Sequence, residues 1–162
     1  MPLLAFDKWY VHCATLGFIG RIKFAPGTFG SIPGVLLAVP FYFLASHVAL
    51  PLVFSIISIL LVTVFAWYVI HLTEQYWQQH DRSEIVIDEL AGQFIPIMLL
   101  GIDPITIVLS FITFRFFDIL KPWPVGHIDS RWPGAAGTLF DDTAAGILSA
   151  LTVFCLQPLL HF

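Results

Sequence analysis

"LPLVFSIISILLVTVFAWYVIHL", residues 50–72, contains no Asp, Glu, Lys or Arg. A helix of about 20 apolar residues crosses the hydrocarbon core of a bilayer. Lipid offers no partner to a backbone N–H or C=O, so a segment that enters it must satisfy those groups internally, as a helix does. The rest of the chain agrees with this reading. Of its 162 residues, 58% are hydrophobic and only 11% are charged, whereas a soluble domain carries about 25% charged residues. The expected fold is all-α: a polytopic integral membrane helical bundle with short or re-entrant hairpins, forming one membrane-embedded domain over 1–162.

Other segments extend the pattern. Ile32–Ala45 is apolar but interrupted by Pro33 and Pro40, which suggests a tilted or re-entrant piece. After the long run comes a polar stretch, "TEQYWQQHDRSE" (73–84). Leu90–Ile102 and Ile105–Phe117 follow, two short apolar segments that meet at the turn-like Gly101-Ile102-Asp103-Pro104. A helical hairpin packed partly within the protein fits them. A loop rich in Pro and Gly covers 122–137, and a last helix is expected from about Asp141, acting as its N-cap, to about Leu156.

Lys8, Arg21 and Lys23 place the amino-terminal region in the cytoplasm by the positive-inside rule. Two crossings then return the chain to that side at 73–89, two more return it at 115–142, and a fifth leaves the carboxyl terminus outside. Every charged residue except Asp103 falls on the cytoplasmic side, at the depth of a lipid headgroup. The first residues lack the basic start and apolar core of a signal peptide. No basic tract is present, which argues against nucleic acid as a partner. Cys13 and Cys155 suggest neither a disulfide framework nor a zinc knuckle.

Four stretches could carry chemistry. In "IVIDELAG" (85–92), Asp88 and Glu89 interrupt an apolar run. If residues 81–92 are helical, Asp81, Glu84 and Asp88 share an arc of about 60°, and Glu89 projects about 100° from Asp88. Carboxylates at a membrane end are costly unless solvated or bound to a cation. An acidic first turn favoured by the helix dipole explains Asp81 and Glu84 better than it explains Asp88 and Glu89. In "FRFFDILKPWP" (114–124), Arg115, Asp118 and Lys121 recur at i, i+3 and i+6 near the helix end that Pro122 sets. Arg presents a fork of donors to phosphate oxygens, and Lys a mobile point charge. The plainer alternative is an Arg115–Asp118 salt bridge with Lys121 snorkelling to the interface.

In "LFDDTAAG" (139–146), a cap accounts for Asp141 but less well for Asp142. With Asp88 and Glu89 these make four carboxylates on one side, an oxygen-rich set suited to Mg²⁺. "KFAPGTFGS" (23–31) reads as a glycine-containing loop with Thr28 and Ser31 before an apolar helix, where backbone N–H groups can hold an anion. Its spacing is not a Walker A loop, and an ordinary Pro-Gly turn explains an isolated copy. His47 and His161 fall near the outer face. His12, His71 and His127 have no partner by spacing, and His80 beside Asp81 is the histidine to watch.

Taken together and in order, "APGTFGS", "IVIDELAG", "FRFFDILKPWP" and "DDTAAG" resemble the phosphatidylglycerophosphatase A family of bacterial membrane phosphatases. The likeness runs from about position 17 to 150. It implies an inner-membrane enzyme that uses Mg²⁺ to remove the terminal phosphate of phosphatidylglycerophosphate. The positions that match are Thr28 and Ser31, Asp88 and Glu89, Arg115, Asp118 and Lys121, and Asp141 and Asp142. Read physically, the four carboxylates Asp88, Glu89, Asp141 and Asp142 would hold Mg²⁺ against the phosphate. Arg115 and Lys121, with Thr28 and Ser31, would bind phosphate oxygens. Asp118 would position or deprotonate water, or attack phosphorus itself.

Rival classes meet specific objections. The Asp-Gly-x-x-Ala-Arg pattern of CDP-alcohol phosphotransferases is absent, as are the Asp-x-Asp-x-Thr and Ser-Gly-His signatures of two other phosphatase classes. A cation transporter would place its carboxylates at the midplane, and Arg115 and Lys121 would repel its cargo. A non-catalytic assembly subunit would lose complex formation, and no phosphatase activity, when Asp142 is replaced.

Overall fold

Three helices start with proline directly after a non-helical residue: Pro26, Pro51 and Pro104. Proline suits that position because its missing N–H would have no helical partner there. A computed structural model describes residues 6–80 and 82–160. It consists of α1 (Trp9–Ala14), a single 3-10 turn (Ile19–Arg21), α2 (Pro26–Ala45), α3 (Pro51–Trp77), α4 (Ile87–Leu100), α5 (Pro104–Leu120), α6 (Val125–Arg131) and α7 (Ala135–Leu160). No strand occurs among the described residues. Asp81 and His161 lie outside them.

The fold is the expected helical membrane bundle, with three helices, α2, α3 and α7, long and apolar enough to cross a bilayer. Two boundaries differ from expectation. Pro33 and Pro40 do not interrupt α2, which begins at Pro26 and runs for 20 residues. Packing neighbours in a membrane bundle re-satisfy the backbone groups that a proline frees. The last helix begins at Ala135, after Gly134 in the left-handed region (φ 60°). Asp141 therefore lies inside α7 and does not cap it. Of the five expected crossings, α4 and α5, with 14 and 17 residues, are too short to count as full spans. They form the hairpin, turning at Gly101–Asp103, and Asp103 accepts a hydrogen bond from the Thr106 backbone N–H at 3.0 Å to cap α5.

The hairpin's first arm is the centre of the bundle. Helix α4 packs against α2, α3, α5 and α7, and nearly all of its residues are buried. Close approach of α4 to α7 requires glycine at the crossing: a Cβ on Gly146 would run into the carbonyl of Gly92, the small-residue packing that membrane helices use in place of a hydrophobic driving force. Helix α3 lies outside this centre and turns Leu60, Leu61 and Val64 outward, each more than half exposed. That surface suits lipid and would be a liability in water.

Among the described residues, charge gathers at one end of the bundle. The amino end of α2, the carboxyl end of α3, the amino end of α4, the carboxyl end of α5 and the first turns of α7 lie together. Asp103 sits at the opposite end, in the hairpin turn.

Candidate active site

Helix α4 begins at Ile87, so Asp88 and Glu89 occupy its first turn. Residues 82–86 are not helical. There the Val86 N–H donates to the Ala14 carbonyl (2.9 Å), and Arg82 pairs with Glu84 (2.9 Å). The expected arc shared by Glu84 and Asp88 is thus not formed. Instead Asp88 meets Asp142 from α7: one oxygen from each of Asp88, Glu89 and Asp142 lies within 4.8 Å of the others. Asp88 is 7% exposed and Asp142 3%. Asp88 Oδ1 and Glu89 Oε2 are buried without a hydrogen bond from the described residues. Buried carboxylate oxygens converging without donors are unfavourable unless something cationic neutralises them. This donor set, all oxygen and three carboxylates, fits a hard divalent cation.

Asp141 faces elsewhere. Its Oδ2 accepts from Lys121 Nζ at 2.8 Å, and its Oδ1 accepts from the Asp142 N–H at 2.9 Å. Lys121 also pairs with Asp129 of α6. Burial works against the lysine charge, but the hydrogen bonds to Asp129 and Asp141 outweigh it and hold the ammonium pKa above the usual value. Lys121 ends α5 in the left-handed region (φ 45°), an uncommon conformation for a side-chain-bearing residue. Its side chain thereby reaches back to α6 and α7 rather than continuing the Arg115–Asp118 row.

Arg115 and Asp118, one turn apart on α5, form a salt bridge at 2.6 Å, and both are largely shielded from solvent. Arg115 Nη1 also donates to Ser31 Oγ at 3.4 Å, and Arg115 Nε has no hydrogen-bond partner among the described residues. Ser31 is fully buried and donates to the Gly27 carbonyl at 2.8 Å. The stretch expected as a loop is the first turns of α2: Thr28 and Ser31 are helical, with the Thr28 N–H bonded to Ala25 O at 3.0 Å. Gly27 leaves room for these side chains, because a Cβ would displace Glu89 Oε1 and approach Arg115 Nη1 to 3.1 Å.

Two residues went unsingled in the sequence. Asp129 gave no signal, because its link to Lys121 depends on the chain reversing between α5 and α6. Gln93 did give one: it is a lone amide in the apolar run that follows Glu89, and in the structure it is fully buried. His80 is placed away from the carboxylate cluster, with Nδ1 3.0 Å from Glu74 Oε2.

The sequence profile of the family described as phosphatidylglycerophosphatase A matches residues 12–157. The chain is 36% identical to phosphatidylglycerophosphatase A of Haemophilus influenzae over 151 residues, covering 91% of this chain and 88% of that one. It is 34% identical to phosphatidylglycerophosphatase A of Escherichia coli over 141 residues, covering 86% and 78%. A Bacteroides thetaiotaomicron protein, provisionally named phosphatidylinositol-3-phosphatase, is 30% identical over 137 residues, covering 83% and 84%. No solved structure matches.

Proposed function

This chain belongs to the phosphatidylglycerophosphatase A family and is a membrane phosphatase; we propose that it hydrolyses the terminal phosphate monoester of phosphatidylglycerophosphate in phospholipid biosynthesis, with Mg²⁺ as cofactor. The products are phosphatidylglycerol and inorganic phosphate. The observation that carries this reading is the meeting of Asp88, Glu89 and Asp142 within 4.8 Å, at the end of the bundle that also holds Arg115 and Lys121. A phosphate monoester carries close to two negative charges, and its transfer depends chiefly on positioning and charge neutralisation. Asp88, Glu89 and Asp142 would hold Mg²⁺, and the ion would supply that neutralisation when bound.

The chain's own residues do the rest. Arg115, oriented by Asp118 and Ser31, presents its fork to the phosphate. Lys121, held by Asp129 and Asp141 on the α6–α7 side, adds a second positive charge at the same end of the bundle. Thr28 and the α2 amino end face the anion with helix-dipole charge of the right sign. Asp118 takes a proton from the attacking water, whose oxygen forms the new P–O bond. The bond to the glycerol oxygen breaks, and that oxygen receives the proton that Asp118 took, which restores the carboxylate. Asp141 serves this site through Lys121, leaving three carboxylates for the cation. The reaction takes place on the cytoplasmic face of a bacterial inner membrane, the side that Lys8, Arg21 and Lys23 indicate.

The test is phosphate release by the purified protein in detergent from phosphatidylglycerophosphate, with Mg²⁺, with EDTA, and for Asp142→Ala. Release that needs Mg²⁺ and disappears in the variant supports the proposal. No release from folded protein supplied with Mg²⁺ and lipid would overturn it. The Bacteroides relative makes phosphatidylinositol 3-phosphate the competing substrate to include, and a higher kcat/KM for it would reassign the headgroup.

A further inference from the structure

Glu89 and Gln93 stand one turn apart on the same side of α4, against the glycines of α2. Gly27 lies beside Glu89, and a Cβ on Gly34 would stand 3.0 Å from the Cβ of Gln93. Gln93 is 0% exposed, yet neither Oε1 nor Nε2 has a hydrogen-bond partner among the described residues. Buried amides are rarely left so, and an exception calls for a cause such as an ion, a water or a reacting group. Apolar side chains of similar volume would fill the position without that cost. Glu89 Oε2, one turn away, is likewise buried and has no partner among the described residues.

We propose that Gln93 is a positioning residue for the cation site, its Oε1 accepting from a water in the oxygen shell of a hard divalent ion while Nε2 donates toward the Glu89 carboxylate. An amide can do both at once, because it carries an acceptor and two donors. Small hard cations such as Mg²⁺ keep part of their water when they bind carboxylates, and those waters need acceptors. Residues that hold ligands in this way typically change metal affinity by about 10–100-fold when lost. The inference rests on the reading of Asp88, Glu89 and Asp142 as cation ligands.

The test uses Mn²⁺ as probe, titrated by electron paramagnetic resonance into the full-length protein in detergent. Wild type, Gln93→Met, Gln93→Leu and Asp142→Ala are compared, and melting temperatures are taken without divalent ion. Gln93→Met and Gln93→Leu are expected to weaken Mn²⁺ binding by about 10–100-fold, with an ion-free melting temperature equal to or above that of wild type. Wild-type affinity in either variant would make Gln93 only a tolerated core residue and overturn the proposal. Should neither apolar variant fold, Gln93→Glu, which keeps the oxygen, is expected to bind Mn²⁺ at least as tightly as wild type, and weaker binding overturns the proposal. Failure of folded wild type to bind Mn²⁺ would bring down the cation reading and this inference together. Binding that Asp142→Ala abolishes and Gln93→Met leaves intact would bring down the inference alone.

Discussion

Lys121 Nζ lies 2.8 Å from Asp141 Oδ2, and that contact joins the left-handed end of α5 to the interior of α7. It divides two adjacent aspartates between two tasks. Asp141 holds a cationic side chain, and Asp142 turns toward Asp88 and Glu89.

Lys121→Ala removes the cation from a carboxylate that is only 7% exposed. Leaving such a group unpaired is expected to lower stability by about 2–3 kcal/mol and phosphate release by about 100-fold or more. Asp129→Asn removes only the more exposed partner, so release should fall by less than about 10-fold, in keeping with the small worth of exposed pairs. Thermal melts and kcat/KM on the two variants check both expectations.

Arg115→Lys keeps the charge and loses the planar fork that reaches Asp118 and Ser31 together. Such a replacement is not conservative at a forked site. The expected result is a fall of about 10–100-fold in kcat/KM with the melting temperature nearly unchanged. Wild-type kcat/KM in Arg115→Lys would show that charge alone suffices.

Gly27→Ala and Gly146→Ala should separate function from folding. The new methyl at 27 meets the far end of the Glu89 side chain, which can move. Phosphate release is therefore expected to be lost while the melting temperature changes little. The methyl at 146 meets the Gly92 backbone, which cannot move without parting α4 from α7. Overpacking there should cost about 1–3 kcal/mol, read as a lowered melting temperature.

Orientation can be read by labelling. In a background with Cys13 and Cys155 replaced by Ser, Ser130→Cys is expected to react with an impermeant maleimide only in inverted vesicles, and His47→Cys only in right-side-out ones. The reverse pattern would put the site on the outer face.

The run 50–72 carried the membrane fold, because nothing else satisfies so long an apolar segment. The starts of α2 and α7 were less legible. Pro33 and Pro40 read as breakers under rules learned in water, and Asp141 resembles a cap wherever its helix is taken to begin. Placing α7's start six residues earlier turns 141 and 142 to different neighbours, about 100° apart. For this reason spacing could bring out both aspartates yet not say which of them meets Asp88. Residues 82–86 broke the expected acidic helix because Val86 bonds to α1, a partner distant in sequence. Thr28 and Ser31 read as loop residues in the sequence, whereas their α2 turn depends on Ala25 adopting the left-handed conformation ahead of Pro26.

The shortness of α4 has a consequence for the surrounding lipid. Its 14 residues rise about 21 Å, against a hydrocarbon thickness of about 30 Å. A hairpin that dips in and returns needs no thinning of the bilayer. If the turn that Asp103 caps lies at one interface, however, Asp88 and Glu89 reach the other only where the bilayer thins around the hairpin. Hydrophobic mismatch of this kind exacts a modest free-energy cost per ångström, smaller in a thinner membrane. Substrate turnover should accordingly rise in nanodiscs of short-chain phosphatidylcholine and fall in long-chain ones, so that membrane thickness itself becomes a control on the enzyme.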